Sequence, residues 1–123
     1  MKVWKAFGSA HSAHLTIIGE FQEVSNAQKA KLIVEDFLVG LWEDRYHNRE
    51  EFCEQWKDID AAVLSLGPSD SDFNIGWDNP CDINLEGETV IVSGMSGINI
   101  GGIIKLMLLC DPREIKITGQ TGP

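Results

Sequence analysis

Cysteine is scarce and poorly spaced for bridges: Cys53, Cys81 and Cys110 are the three in 123 residues. Any pairing leaves one thiol over. Neither a C-x-x-C pair nor a zinc-type spacing occurs, which argues against a disulfide framework and against a zinc finger. Free, mostly buried thiols suit a reducing compartment. Long apolar runs are missing as well. The longest, Ile98 to Cys110, is broken by Asn99, Gly101, Gly102 and Lys105, whereas crossing a bilayer takes roughly 20 apolar residues. Met1-Lys2-Val3-Trp4-Lys5 lacks the apolar stretch and small-residue cleavage site of a secretory leader. These shortages together predict a soluble protein that stays in the cytoplasm.

Positive charge is the most telling shortage. The net charge is −9, which argues against binding nucleic acid by phosphate neutralisation and against adhesion to an anionic membrane. Between Glu35 and Glu88 fifteen acidic residues face only Arg45, Arg49 and Lys57, a local net of −12, and the rest of the chain sums to +3. No basic residue occurs between Lys57 and Lys105. Such asymmetry speaks to solubility first and to the choice of partner second.

What is present is an ordinary globular mixture, 43% hydrophobic and 24% charged, without repeats or linker-like tracts, so residues 1–123 are expected to form one domain. Val3 to Phe7 reads as a short strand. Leu15, Ile17, Gly19 and Phe21 alternate with Thr16, Ile18 and Glu20, the pattern of a strand with one face on the core. Ser25-Asn26-Ala27-Gln28 offers a capping box for a helix over about residues 25–44 whose stripe is Ala30, Ile33, Val34, Phe37, Leu38 and Leu41. A second helix opens at Asn48, with Phe52, Trp56, Ile59, Val63 and Leu66 at helical spacing and Gly67-Pro68 as its stop.

Phe73, Ile75 and Trp77 alternate as a strand. Ile83 and Leu85 extend a ribbon around Glu86-Gly87-Glu88, and Thr89 to Ser93 is strongly β-prone. Gly94-Met95-Ser96-Gly97 reads as a loop, Asn99 as the cap of a helix to Cys110, and Glu114 to Thr118 as the last strand. The order from residue 14 is strand, helix pair, strand, strand, helix, strand. It predicts an α+β fold of ferredoxin-like split β-α-β type: an antiparallel sheet with helices on one face, an extra helix in the first crossover and an extra N-terminal strand.

Lys2-Val3-Trp4-Lys5, Phe7-Gly8-Ser9, His11-Ser12, Ile18-Gly19 and Phe21 resemble the start of an uncharacterised bacterial protein family. That resemblance covers the first fifth of the chain. It implies a bacterial origin and, since the family has no assigned activity, transfers no catalytic residue.

Several constellations bear on chemistry. Asp70-Ser71-Asp72-Phe73-Asn74-Ile75-Gly76 resembles the opening of a calcium loop, but its glycine falls one residue late and the twelfth position is Cys81 instead of Glu. A polar helix-to-strand turn explains it better. His11 and His14 stand three residues apart at a loop entering a strand, where that spacing sends side chains to opposite faces. Ser9 and Ser12 lie nearby without the G-x-S-x-G elbow of a nucleophile. Gly94 to Gly102 follows a strand and opens a helix, a place for an anion on backbone amides. Ile103 and Ile104 stand where a phosphate-binding loop would need its lysine and hydroxyl.

No nucleophile, base and orienting group fall together, no catalytic residue is assigned, and no cofactor is expected. The sequence therefore points to a non-enzymatic binding protein, an immunity- or antitoxin-like inhibitor that masks a basic partner such as a toxin or nuclease. Its contact residues would be Glu50, Glu51, Glu54 and Asp58 on one helix face and Asp70, Asp72 and Asp78 beyond it, with Trp42 as an aromatic anchor. The alternative is a small enzyme or a ligand- or metal-binding protein using His11, His14, Ser96 and Asn99. A third is a homo-oligomer formed through a sheet face or edge.

Overall fold

The computed structural model describes residues 2–3, 14–56, 67–73, 82–95 and 100–120. Five strands are present among them: β1 (Lys2–Val3), β2 (His14–Phe21), β3 (Asp82–Glu86), β4 (Thr89–Met95) and β5 (Pro112–Gln120). Three helices, α1 (Val24–Trp42), α2 (Arg49–Gln55) and α3 (Ile100–Leu108), and a single 3₁₀ turn at Asp70–Phe73 complete the described architecture. No helix among the described residues is long and apolar enough to cross a membrane.

The fold is α+β, built on an open sheet in the order β1-β5-β2-β4-β3. Four of its strands pair antiparallel, β5 with β2, β2 with β4, and β4 with β3, while β1 lies parallel along β5. The register explains the alternation in the sequence. Ile17 stands between Val92 and Ile117, and Gly19 between Val90 and Ile115. Period-two chains thus place these residues on one face. Ile17, Val90, Val92, Ile115 and Ile117 are all buried there in one core with α1 and α3.

The hairpin between β3 and β4 turns through Gly87-Glu88, flanked by the pair Glu86↔Thr89. Gly87 takes φ +60, the left-handed value that a two-residue turn with glycine at its first central position demands.

α1 buries Ala27, Ala30, Ile33, Val34, Phe37, Leu38 and Leu41, a stripe at three- and four-residue spacing that matches the sequence pattern. Its start differs from the expected capping box. Glu23, in extended conformation, is the N-cap, and the helix is already under way at Ser25, whose Oγ donates to Glu23 Oε2 at 3.4 Å. Phe21 is fully buried as the last residue of β2, so the chain must turn within Gln22-Glu23, and Gln28 falls beyond the third helical position that a capping box requires. α2 is capped as the sequence indicates, Asn48 Oδ1 accepting from Glu51 N–H at 3.0 Å. It ends at Gln55 with Trp56 as its C-cap, short of the single helix to Leu66 that the spacing predicts; Ile59, Val63 and Leu66 lie outside the described residues.

Two expected boundaries are corrected. Phe73 ends the 3₁₀ turn instead of opening a strand. Its ring packs edge-on to Phe37 at 5.2 Å and tilted to Phe52 at 5.8 Å, so it plugs the helical core. Ile75 and Trp77 fall outside the described residues. The strand that forms a hairpin with β4 is Asp82–Glu86, the segment read from the sequence as a ribbon extension. Gly94 and Met95, expected in a loop, belong to β4. Between Leu15↔Met95 and Ile17↔Val92 the register shifts by one residue, an irregularity that lets β4 run on past its β-prone core.

Candidate functional site

The candidate surface centres on the connection between α1 and α2. α1 ends in a left-handed residue: Asp44 has φ 58, Arg45 N–H donates to Gly40 O at 2.7 Å and Asp44 N–H to Leu41 O at 3.2 Å. This double bond pattern closes the helix C-terminus and reverses the chain. Tyr46 is thereby carried back over α1. Its ring lies against Gly40 so closely that a Cβ there would overlap Cε2 and Cδ2.

Tyr46 is buried, and its hydroxyl donates to Asp36 Oδ2 at 2.5 Å. The indole Nε1–H of Trp56 donates to the same oxygen at 2.7 Å. Asp36 Oδ1 lies 3.6 Å from Arg45 Nη1, and Arg45 Nε pairs with Glu43 at 3.0 Å. One half-buried carboxylate on α1 thus ties down both the turn after α1 and the end of α2. Two charge-assisted hydrogen bonds of this kind are worth more than neutral ones, and the buried Tyr46 hydroxyl left unpaired would be costly.

Burial and the hydrogen bond to Asp36 push the Tyr46 hydroxyl well above its ordinary range. A raised folded value means that this interaction stabilises the fold fully below pH 10 and is lost as pH rises through the shifted value. Tyr46 is the single tyrosine, so phenolate absorbance reads it alone. The native protein is expected to show no phenolate as pH passes 10, whereas the urea-unfolded chain half-titrates there. Ionisation near pH 10 in both states would show that Tyr46 is not tied to Asp36.

Around this anchor the surface is acidic. Glu43, Asp44, Glu50, Glu51, Glu54 and Asp70 are all exposed. Of the carboxylates expected to meet a partner, Glu51 and Asp70 also work within the fold. Glu51 Oε2 accepts from His47 N–H at 2.9 Å and lies 3.0 Å from its Nδ1. The bond to Glu51 is the largest cause of a raised His47 value, and the amide of His47 is the largest cause of a lowered Glu51 value. Asp70 Oδ1 accepts the first helical amide of α2, Arg49 N–H, at 3.0 Å, so the calcium-like segment contributes a capping carboxylate to α2. Glu50 and Glu54 are exposed on α2.

Asp58 and Asp78 lie outside the described residues. Asp72 sits within the 3₁₀ turn and Trp42 at the end of α1, with only their backbones described. Of the alternative set, His11, Ser96 and Asn99 lie outside the described residues, and His14 is the first residue of β2. The partners that sequence reasoning missed are Asp36, Tyr46 and Arg45. Asp36 lies beside the apolar stripe of α1, and Trp56, twenty positions on, and Tyr46 both converge on it. A polar residue flanking the stripe next to Phe37 was the one signal available.

A shallow pocket of about 270 Å³ opens beside this carboxylate, lined by Leu32, Glu35, Asp36, Val39, Arg45 and Trp56. Among the described residues no group of three or more His, Cys, Asp or Glu side chains is placed to hold a metal.

Fold and surface together give an α+β chain with an exposed acidic run from Glu43 to Glu54 and, beside it, a pocket next to a hydrogen-bonded carboxylate. The chain belongs to DUF6375, a family of unknown function that it matches over residues 1–110. No curated protein and no solved structure matches it.

Proposed function

We propose that this protein is a small non-enzymatic binding protein of the cytoplasm, an immunity- or antitoxin-like inhibitor whose acidic helical surface masks a basic protein partner. The observation that carries the reading is the run from Glu43 to Glu54, which holds five acidic residues, all exposed, against Arg45 and Arg49. Asp58, Asp70, Asp72, Asp78 and Trp42 extend the proposed contact. A surface of one sign speeds encounter with an oppositely charged partner and makes the complex sensitive to salt. Affinity capture on the immobilised protein, eluted along a salt gradient, is expected to release a basic protein in stoichiometric amount as salt rises. Capture of acidic or neutral proteins alone, or elution independent of salt, would contradict the proposal.

We also propose the ferredoxin-like split β-α-β arrangement for the sheet. In its support, the strands other than β1 stand in the order β5-β2-β4-β3 with antiparallel neighbours. The edge strand β1, parallel to β5, departs from that arrangement.

A second reading, a ligand or metal site using His11, His14, Ser96 and Asn99, draws on one observation. The register Leu15↔Met95 brings the start of β2 and the end of β4 to the same end of the sheet, and these are the strand ends that lead to His11 and Ser96. Loss of metal or ligand uptake in His11→Ala and His14→Ala, with unchanged melting, is the result this reading requires.

A further inference from the structure

We propose that the pocket beside Asp36 receives one arginine side chain of the basic partner, with Arg45 as the resident cation it displaces; this rests on the acidic-surface reading above. Asp36 is positioned before any ligand arrives. The Tyr46 hydroxyl and the Trp56 indole both donate to Oδ2. A carboxylate has about four acceptor positions, so Oδ1 keeps capacity for a further donor. Its neighbour there is Arg45 Nη1 at 3.6 Å, beyond a good hydrogen bond. Arg45 is 43% exposed and holds a shorter pair with Glu43 at 3.0 Å. It can therefore leave Asp36 while keeping a carboxylate partner.

The rest of the pocket suits an alkyl guanidinium. Leu32 is 57% exposed, and with Val39 it offers apolar surface to the methylene stem. Glu35 adds a second carboxylate, at present paired with Lys31 at 3.1 Å. Trp56, which also lines the pocket, adds aromatic surface for a planar cation. A fork of donors fits two carboxylates better than the point charge of an ammonium.

The test is a nuclear magnetic resonance titration of the full chain with blocked tripeptides centred on arginine, lysine or citrulline, the last being neutral and nearly the same shape. The arginine peptide should shift the Trp56 indole and the Leu32 and Val39 methyl signals, with a dissociation constant of about 1–10 mM, as a single side chain would give. The citrulline peptide should bind at least about tenfold more weakly. Asp36→Asn should abolish the pocket shifts. Should that variant fail to fold, Arg45→Ala carries the test: it should bind the arginine peptide severalfold more tightly. Arg113→Ala, which removes the same charge from a residue paired with Glu88, should leave affinity unchanged. Equal binding of the citrulline peptide, equal gains in Arg45→Ala and Arg113→Ala, or shifts confined to Glu50 and Glu54 would overturn the pocket. The last result would leave the acidic-surface reading standing, and failure of partner capture would remove that reading by itself.

Discussion

Phe52→Ala is expected to lower the free energy of unfolding by about 3–5 kcal/mol, the cost of emptying a fully buried aromatic site. Phe52 is 0% exposed and is the meeting point of the helical core. Its ring lies edge-on to Phe37 at 5.7 Å and to Tyr46 at 5.2 Å, and tilted against Phe73 and Trp56. Each such pair adds roughly 0.5–1.5 kcal/mol beyond area alone. α2 has only seven residues, too few to hold a helix by propensity, so its stability comes from packing. Removing Phe52 should therefore loosen α2 together with Tyr46 and Trp56, the two donors to Asp36. Urea denaturation followed by tryptophan fluorescence measures the effect. A loss under about 1 kcal/mol, the usual range of a surface change, would mean that Phe52 does not tie α2 to α1.

Gly40→Ala is expected to destabilise by about 2–3 kcal/mol, against the sign that helix propensity gives. In an open helix this change stabilises by about 1 kcal/mol. Here the new methyl would overlap the Tyr46 ring, with Cζ also only 3.2 Å away. The ring has nowhere to retreat, being held by its bond to Asp36 and by the edge contact with Phe52. It must leave, and the Asp36 hydrogen bond goes with it. The double variant Gly40→Ala, Tyr46→Ala should cost clearly less than the sum of the two single changes, because the clash vanishes with the ring. Additive costs in thermal unfolding would show that the close approach of Tyr46 to α1 is not what requires glycine at position 40.

Much of the fold was legible because it follows local periodicity. Ile17 and Phe21 on β2, and Ile33, Phe37 and Leu41 on α1, are buried as their spacing indicates. Asn48 caps α2 for the same local reason. The misreadings arose where distant contacts decide. Phe73 alternates with Ile75 and Trp77 on paper, yet its partners are Phe37 and Phe52, more than twenty positions away. Ser25 and Gln28 form a capping pattern in sequence, but the buried end of β2 sets where α1 begins. The candidate site divides along the same line. The acidic run could be counted from residues alone, whereas the convergence of Arg45, Tyr46 and Trp56 on Asp36 needed the reversal of the chain at Asp44. That reversal uses a left-handed aspartate where glycine is the usual signal.

The most direct test of the central claim compares two charge reversals of equal size in binding to the captured partner, measured by titration calorimetry. One pair, Glu50→Lys with Glu54→Lys, lies on α2; the other, Asp82→Lys with Glu86→Lys, lies exposed on β3. An acidic contact surface on the helical side predicts a loss of about tenfold or more for the α2 pair and less than about twofold for the β3 pair. Equal losses in both would reduce the effect to net charge, and an unchanged affinity in the α2 pair would contradict the account.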